Sequence, residues 1–343
     1  MSRPAEGAVP AAIAAPVPAA VAAPVPAAVA APQARRARDV APSRESAGGA
    51  WLGVAERGSA LGIWFMIAVG RLLGRRIARL LVHPAVLYFL AFSPRARRAS
   101  RDYLARLGQP HGLRAVYAHY LRFGHCTLDR LYWTIGQRAP FAVTRTGSEH
   151  LQKLAESRRG AVLVGAHMGS FEAMRAMASH RSLPMNIVGY FKNAKLLNGI
   201  LDRLNPGLKT RFISVEPNVD FMLKLKERVD AGELVALLGD RVGLGDRVVD
   251  VDFFGGRVSL PTGPYFLAAT LRCPVYLTFG LYREPNRYEL FCEPFAEVVE
   301  LPRGKREEGA RSYAQRFAAR LEHYCRLAPD NWFNFYPYWK EAA

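Results

Sequence analysis

The residues best suited to chemistry in this sequence are a histidine and a glutamate five positions apart. They lie in the stretch GAVLVGAHMGSFEAM, where His167 follows an apolar run and Glu172 falls inside a pattern typical of a helix. An imidazole can remove the proton of a hydroxyl, and a carboxylate can orient that imidazole and stabilise its protonated form. The spacing therefore indicates either a general base with its orienting carboxylate or two residues at an ordinary element boundary.

The elements around His167 suit the first interpretation. The apolar run before it predicts a buried strand, and Gly169 and Ser170 allow a tight turn in which Ser170 caps the next helix. Glu172 then falls in the first helical turn, where the helix dipole favours an ionised carboxylate. The alternatives are that His167 is a buried, hydrogen-bonded residue and that Glu172 pairs with Arg175 one turn later.

Beyond residue 141, short apolar runs alternate with helical patterns. AVLVGA, MNIVGY, RFISV, LVALLG and PVYLTFGLY predict strands, whereas VDFMLKLKERVDAG and GPYFLAATLRC predict helices. Such alternation predicts an α/β fold with a central, mainly parallel sheet flanked by helices. Ligands of these sheets bind at the carboxyl ends of the strands, which is where His167 is expected.

The segment from residue 51 to residue 140 is basic and apolar. It contains fourteen arginines, no lysine and three acidic residues, so its net charge is +11, whereas the net charge of the whole chain is +18. The uncharged run before Arg71 covers residues 58–70, fewer than the roughly 20 that a membrane-spanning helix needs. Arg71, Arg75, Arg76 and Arg79 among apolar side chains predict a helix in the membrane interface with its guanidiniums toward lipid phosphates. An amphipathic helix packed on the domain would have the same period.

The rest of the chain sets its organisation. Residues 1–48 contain the repeat PVPAAVAA and predict a disordered tail. We expect a basic helical membrane-associating region at 49–140 and a catalytic α/β domain at 141–343, with 49–343 forming one compact unit. No signal peptide is evident. The four cysteines have no metal-ligand spacing and are expected to be reduced core residues: Cys126, Cys273, Cys292 and Cys325.

Four motifs in order resemble those of the bacterial lipid A biosynthesis acyltransferases. They are GAVLVGAHMGSFEA, LVALLGDRV, VDFFGGRVSLPTGPYFLAATLRCPVY and APDNWFNFYPYW, and HMGSFE looks like the H-x-x-x-x-[D/E] motif of lysophospholipid-type acyltransferases. The resemblance covers roughly residues 50–340. The segment with ERGS at 56–59 looks more like the branch associated with bacterial pigment and aryl polyene lipids.

The resemblance implies roles for individual residues. His167 matches the catalytic base of the family and Glu172 its orienting carboxylate. Asp240 and Arg241, after the predicted strand LVALLG, match an aspartate-containing segment that helps to form the site. Arg241 is also a candidate for binding the oxyanion or an acceptor phosphate, although an arginine equally suits a solvated surface.

The stretch FFGGRVSLPTG resembles the family's loop that lines the acyl and acceptor pocket. On this basis Arg257, Thr262 and Gly263 are candidate substrate-binding residues, with Arg257 as a second candidate for the oxyanion or a phosphate. An ordinary glycine-rich turn leading into a helix capped near Thr262 would show the same residues.

The resemblance, together with the basic apolar segment, implies a membrane-associated O-acyltransferase. It would move a fatty acyl chain from an acyl carrier protein thioester to a hydroxyl of a membrane glycolipid, such as lipid A, or of an aryl polyene or pigment lipid. No cofactor and no metal are expected, and the partners would be acyl carrier protein, anionic membrane lipids and the lipid acceptor, with no nucleic acid. The expected location is the cytoplasmic face of the bacterial inner membrane, peripheral or monotopic. The alternatives are a non-catalytic protein that binds anionic lipid and a hydrolase that uses the same His/Glu pair.

Overall fold

A computed structural model describes residues 60–179, 183–189, 212–216, 218–243 and 246–340. All of them fall in the same compact unit of the chain. The predicted tail at 1–48 and the ERGS segment lie outside the described residues. The division into a membrane-associating region and a catalytic domain stays a prediction.

The basic segment forms four helices: α1 (Ala60–Leu72), α2 (Gly74–Phe92), α3 (Pro94–Arg106) and α4 (Leu113–Thr134). Between α2 and α3 the chain bends by 96°. Pro94 starts α3, where a proline costs no hydrogen bond because the first helical N–H groups have no partner within the helix. In the described part of the chain no single helix is both long and apolar enough to cross a bilayer, whereas α2 and α3 pass that test only as a bent pair.

Seven strands form the central sheet: β1 (Ala142–Thr146), β2 (Ala161–Gly165), β3 (Met185–Gly189), β4 (Phe212–Ser214), β5 (Leu234–Leu238), β8 (Val275–Arg283) and β9 (Arg287–Ala296). Their order is β1-β9-β8-β2-β5-β3-β4. All neighbours are parallel except β8 and β9. This topology confirms the predicted α/β fold with a mainly parallel sheet. The buried apolar runs of the sequence form its central strands.

Five further helices lie along the α/β part of the chain: α5 (Ser148–Ser157), α6 (Phe171–Ser179), α7 (Val219–Asp230), α8 (Gly263–Leu271) and α9 (Arg306–Leu327). Helix α6 packs against α4 on one side and against β8 on the other. It therefore connects the basic helices to the sheet directly beside the segment that contains His167.

The stretch expected to be a pocket loop is a β-hairpin instead. Strands β6 (Val248–Phe253) and β7 (Gly256–Pro261) pair antiparallel, and Phe253 lies opposite Gly256. Phe254 and Gly255 make the two-residue turn with φ values of +45° and +68°, the sign that a type I′ hairpin turn needs. Val249, Val251 and Phe253 alternate with more exposed residues, so one face of the hairpin is buried.

A buried ion pair joins α2 to the rest of the fold. Arg75 donates to both carboxylate oxygens of Asp129 on α4, at 2.7 and 2.6 Å, and the Tyr288 hydroxyl donates to the same carboxylate at 2.8 Å. Arg79 pairs with Glu284, beyond the end of β8. Two of the four arginines expected to face lipid phosphates therefore pair with carboxylates of the fold, and the buried carboxylate of Asp129 needs such a counter-charge.

The four cysteines are buried and free, as the sequence predicted: Cys126, Cys273, Cys292 and Cys325. Within the described residues, no three His, Cys, Asp or Glu side chains are grouped so that they could hold a metal ion.

Candidate active site

The register of two neighbouring strands brings His167 beside Asp240. Strands β2 and β5 are parallel, and Gly165 lies opposite Leu238 at their carboxyl ends. His167 and Asp240 each come two residues later, so the chain delivers both to the same edge of the sheet. The backbone N–H of His167 donates to Oδ2 of Asp240 at 3.0 Å.

The imidazole of His167 bonds to the same carboxylate. Its Nδ1 lies 2.8 Å from Oδ1 of Asp240. Burial raises the pKa of Asp240, but the charge and hydrogen bond of His167, with the charge of Arg241 and a bond from Trp332, outweigh burial and lower it to about 2. An ionised carboxylate only accepts hydrogen bonds, so Nδ1 carries the proton and Nε2 keeps its lone pair. With 31% of its side chain exposed, His167 is accessible as a base.

The environment keeps His167 neutral near pH 7. Burial is the largest cause of its lowered pKa, and the charge of Arg241 lowers the pKa further. The charge and hydrogen bond of Asp240 oppose both effects. A general base must be unprotonated before it reacts, and a neutral imidazole satisfies that requirement.

The segment at 332–338 packs around Asp240 and also contacts His167. The indole Nε1 of Trp332 donates to Oδ2 of Asp240 at 3.0 Å, and the hydroxyl of Tyr338 donates to its backbone oxygen at 2.7 Å. The N–H of Phe333 donates to the backbone oxygen of His167 at 2.9 Å. The segment thus contacts both members of the pair and excludes water from the carboxylate.

Arg241 is held next to the pair by the same segment. Its Nη2 donates to the backbone oxygen of Phe333 at 2.7 Å, and its guanidinium lies over the ring of Tyr336 at 5.6 Å from the centroid. Arg241 is close enough to lower the pKa values of both His167 and Asp240. The structure therefore brings together three of the predicted site residues.

Glu172 occupies the predicted helical position but contacts a different residue. It lies in the first turn of α6, and the hydroxyl of Ser170 caps this helix by accepting from the N–H of Ala173 at 3.1 Å. Its carboxylate forms an ion pair with Arg130 on α4. The expected contact between Glu172 and His167 is corrected to one between Asp240 and His167. Glu172 on α6 points toward α4, where it meets Arg130. The register of β2 and β5 places Asp240, and not Glu172, beside His167.

The three candidates from the hairpin stretch lie elsewhere. Arg257 on β7 is 55% exposed and lies 3.5 Å from Asp252. Thr262 is buried and donates to the backbone oxygen of Arg247 at 3.1 Å instead of capping α8, which begins at Gly263. Among the contacts of the described residues, none joins these three to His167 or Asp240, because the stretch forms a hairpin and not a loop over the site.

The hairpin reaches the site through an aromatic ring. Phe253 packs against Trp332 with ring centroids 5.3 Å apart. The contacts of Trp332 with Asp240 and of Arg130 with Glu172 were not predicted from the sequence. They span 92 and 42 residues along the chain, so local patterns carried no signal for them.

A family model, described as bacterial lipid A biosynthesis acyltransferase, matches residues 134–341. The match covers more than half of the chain and includes His167, Asp240 and Trp332, and it leaves out α1 to α3 and all of α4 except Thr134. A search of curated proteins found no match.

Proposed function

Because the chain belongs to the bacterial lipid A biosynthesis acyltransferase family, we propose that it moves a fatty acyl chain from acyl carrier protein to a hydroxyl of a membrane glycolipid. Membership in the family makes the chain a lipid acyltransferase. The carrier-protein donor and the hydroxyl acceptor, such as a lipid A precursor, are what we propose. The hydrogen bond between His167 and Asp240 is the observation that supports this chemistry best.

In the proposed reaction His167 acts as the general base. Its Nε2 takes the proton of the acceptor hydroxyl while the oxygen attacks the thioester carbonyl. The C–O bond forms, the C–S bond breaks, and the imidazolium returns its proton to the departing thiolate. Asp240 stabilises the imidazolium and holds the productive tautomer, since its ionised carboxylate accepts from Nδ1. This scheme uses no metal or redox cofactor.

Arg241 is the proposed stabiliser of the oxyanion. Negative charge develops on the thioester oxygen during attack, and a fixed cation stabilises it without reorganisation. The guanidinium of Arg241 is restricted before substrate binds, because it donates to the backbone of Phe333 and lies over the ring of Tyr336. This restriction supports the proposed role.

The surface of the first two helices supports the proposed membrane association. Seven large apolar side chains on α1, on α2 or at their junction are more than half exposed: Phe65, Leu72, Leu73, Leu80, Leu87, Tyr88 and Phe92. Such a surface indicates an interaction site. Arg71 and Arg76 are exposed among them and suit anionic headgroups. We propose peripheral or monotopic attachment at the cytoplasmic face of the inner membrane.

The test uses the full chain, an acyl carrier protein thioester and candidate glycolipid acceptors in vesicles, with products followed by mass spectrometry. His167→Ala is expected to lower kcat by about 10² to 10⁴, the usual contribution of a general base. His323→Ala, at an exposed histidine on α9, is the matched control and should keep the full rate. Full activity of His167→Ala would contradict the mechanism.

The partial exposure of His167 also favours a second candidate, a hydrolase in which the same base activates water. It would release free fatty acid and form no acylated lipid. The same mass spectra separate the two reactions, because a mass increase of one acyl chain on the acceptor appears only with transfer.

A further inference from the structure

Helix α3 presents a row of arginines to solvent. Arg95, Arg98 and Arg101, here the arginine row, are spaced every third residue and are therefore neighbours along one side of the helix. All three are exposed, and within the described residues their side chains form no hydrogen bond or ion pair. The acidic residue of α3, Asp102, is paired with Arg106 at 3.0 Å. The arginine row thus has three positive charges without a counter-charge in the described chain.

The apolar side of α3 is buried in the fold. Ala99, Tyr103 and Leu104 belong to the core, and α3 has no large apolar side chain that is exposed. A helix that lies in a membrane interface places an apolar side among the acyl chains. Helices α1 and α2 have exposed side chains for that purpose, whereas α3 offers only charge. Its outer side therefore fits an acidic protein surface better than a bilayer.

The bend after α2 separates the arginine row from the apolar helices. The chain turns by 96° between α2 and α3. Arg97 on α3 donates to the backbone oxygens of Leu90 and Ala91 at the end of α2, the latter at 3.3 Å. These bonds satisfy carbonyl groups that have no partner within α2 and hold the two helices in their different directions. The proposed membrane surface and the arginine row are consequently on separate elements.

The inner side of α3 reaches the residues around the catalytic pair. The ring of Tyr103 packs against Trp332 with centroids 5.0 Å apart. Ser100 donates to Nδ1 of His119 at 2.8 Å, and Nε2 of His119 donates to the backbone oxygen of Trp332 at 2.9 Å. Trp332 also donates to the carboxylate of Asp240. A single residue thus contacts both α3 and the carboxylate that orients the base, so a protein bound on α3 lies near the catalytic pair.

We propose that the arginine row is the docking surface for the acyl carrier protein, whose surface is acidic. This inference rests on the proposed acyl transfer, in which the carrier protein supplies the thioester. Complementary charge speeds the encounter of two proteins and selects their relative orientation. The flexible pantetheine arm of the docked carrier then brings the thioester to His167. Because α3 lies outside residues 134–341, the family match does not assign this role.

Kinetics with two donors test the docking surface. The α3 variant carries Arg95→Gln, Arg98→Gln and Arg101→Gln, and the donors are the acyl carrier protein thioester and the small acyl-N-acetylcysteamine thioester. At low ionic strength, kcat/KM with the carrier thioester is expected to fall about tenfold or more, because the steering charge is lost. With the small thioester, which has no protein surface to dock, kcat/KM should stay unchanged and show that the variant is folded.

The matched control removes the same number of charges elsewhere. The α9 variant changes three exposed arginines at or just before α9 to Gln: Arg303, Arg306 and Arg311. It should keep the kcat/KM of the unchanged protein with both donors. Added salt should lower kcat/KM with the carrier thioester steeply in the unchanged protein and weakly in the α3 variant. Equal losses in the two variants, or no loss in the α3 variant, would overturn the docking surface and leave the acyl transfer in place.

A binding measurement separates docking from turnover. The probe is fluorescently labelled acyl carrier protein with its acyl thioester, titrated with the full chain carrying His167→Ala and followed by anisotropy. The arginine changes on α3 should raise Kd about tenfold or more, and those on α9 should not. An unchanged Kd together with weaker flotation on anionic vesicles would assign the arginine row to the membrane and overturn the proposal. If the unchanged protein used a coenzyme A thioester but neither bound nor used the carrier thioester, the proposed donor itself would be wrong.

Discussion

The indole N–H of Trp332 donates to Asp240 across 92 residues of sequence, to the carboxylate oxygen that also accepts from the backbone N–H of His167. The other oxygen of Asp240 accepts from the imidazole. All three donors are in place in the folded chain, so the carboxylate has a fixed orientation before any substrate binds. This arrangement makes Trp332 a positioning residue for the base.

Replacing Trp332 by Phe removes this donor and keeps an aromatic ring in the site. The pKa of Asp240 should rise and kcat should fall about tenfold, because one hydrogen bond to a buried charge is lost. Trp339→Phe is the matched control, since its indole donates at 2.8 Å to the backbone of Phe253 and not to the carboxylate. Equal kcat values for the two variants would contradict a role of Trp332 in orienting Asp240.

The pH dependence of kcat/KM identifies the carboxylate that acts on His167. Asp240 raises the pKa of His167, so Asp240→Asn should lower it and move the acidic limb to lower pH, while kcat falls by about 10² to 10⁴ as the productive tautomer is lost. Glu172→Gln should leave the acidic limb in place even if it lowers the rate. A shift of this limb in Glu172→Gln alone would instead make Glu172 the orienting carboxylate.

Arg241→Gln should move the same limb in the opposite direction. The charge of Arg241 lowers the pKa of His167, so its removal raises that pKa, and the base becomes protonated at higher pH. Loss of the proposed oxyanion contact should also lower kcat by about 10²-fold or more. Rate measurements between pH 5 and pH 8 test both effects. An acidic limb that does not move would show that Arg241 has little electrostatic influence on the base.

His119 should make the free energy of unfolding depend on pH. Its Nε2 donates to the backbone oxygen of Trp332 at 2.9 Å and its Nδ1 accepts from Ser100 at 2.8 Å. Burial, partly opposed by the bond to Trp332 and by the charge of Asp330, lowers its pKa from 6.5 to about 4. Only the unfolded chain binds the proton between these values, so stability present above pH 6.5 is lost as the pH falls toward 4, by about 3 kcal/mol in total.

Urea unfolding at pH 7 and pH 5 checks this prediction. His119→Gln should show a smaller loss of unfolding free energy between the two pH values than the unchanged protein. His111→Gln, at an exposed position before α4, serves as the control and should retain the full loss. The same loss in all three proteins would exclude His119 as its source.

Flotation with vesicles tests the apolar surface of the first helices. Leu72 and Leu80 are 82% and 63% exposed, and changing both to Glu should lower partitioning onto vesicles with anionic lipid about tenfold or more. The control changes Val219 and Leu223, exposed apolar residues at the start of α7, to Glu. Similar losses in the two double variants would argue against a specific membrane surface on α1 and α2.

Local pattern was sufficient for much of the fold. The apolar runs predicted five strands of the sheet, β2, β3, β4, β5 and β8, and the helical patterns predicted α7 and α8, whereas β1 and α5 were not predicted. The turn at Gly169 and the cap at Ser170 followed from residue types alone. The hairpin at 248–261 was missed, although the alternation of Val249, Val251 and Phe253 carried its signal. Its glycines were taken as a sign of a loop when they belong to a tight turn between two strands.

The sequence by itself determined that a histidine would stand at the carboxyl end of a strand with a glutamate in the next helical turn. Such features depend on the conformational preferences of residues that are close together in the sequence. The tertiary structure decided that Asp240 contacts His167, that Glu172 faces Arg130 and that Arg75 points inward. These contacts depend on which strands are neighbours and how the helices pack on them. The packing of the whole chain determines which elements are neighbours, and the local periodicity of the sequence does not indicate it.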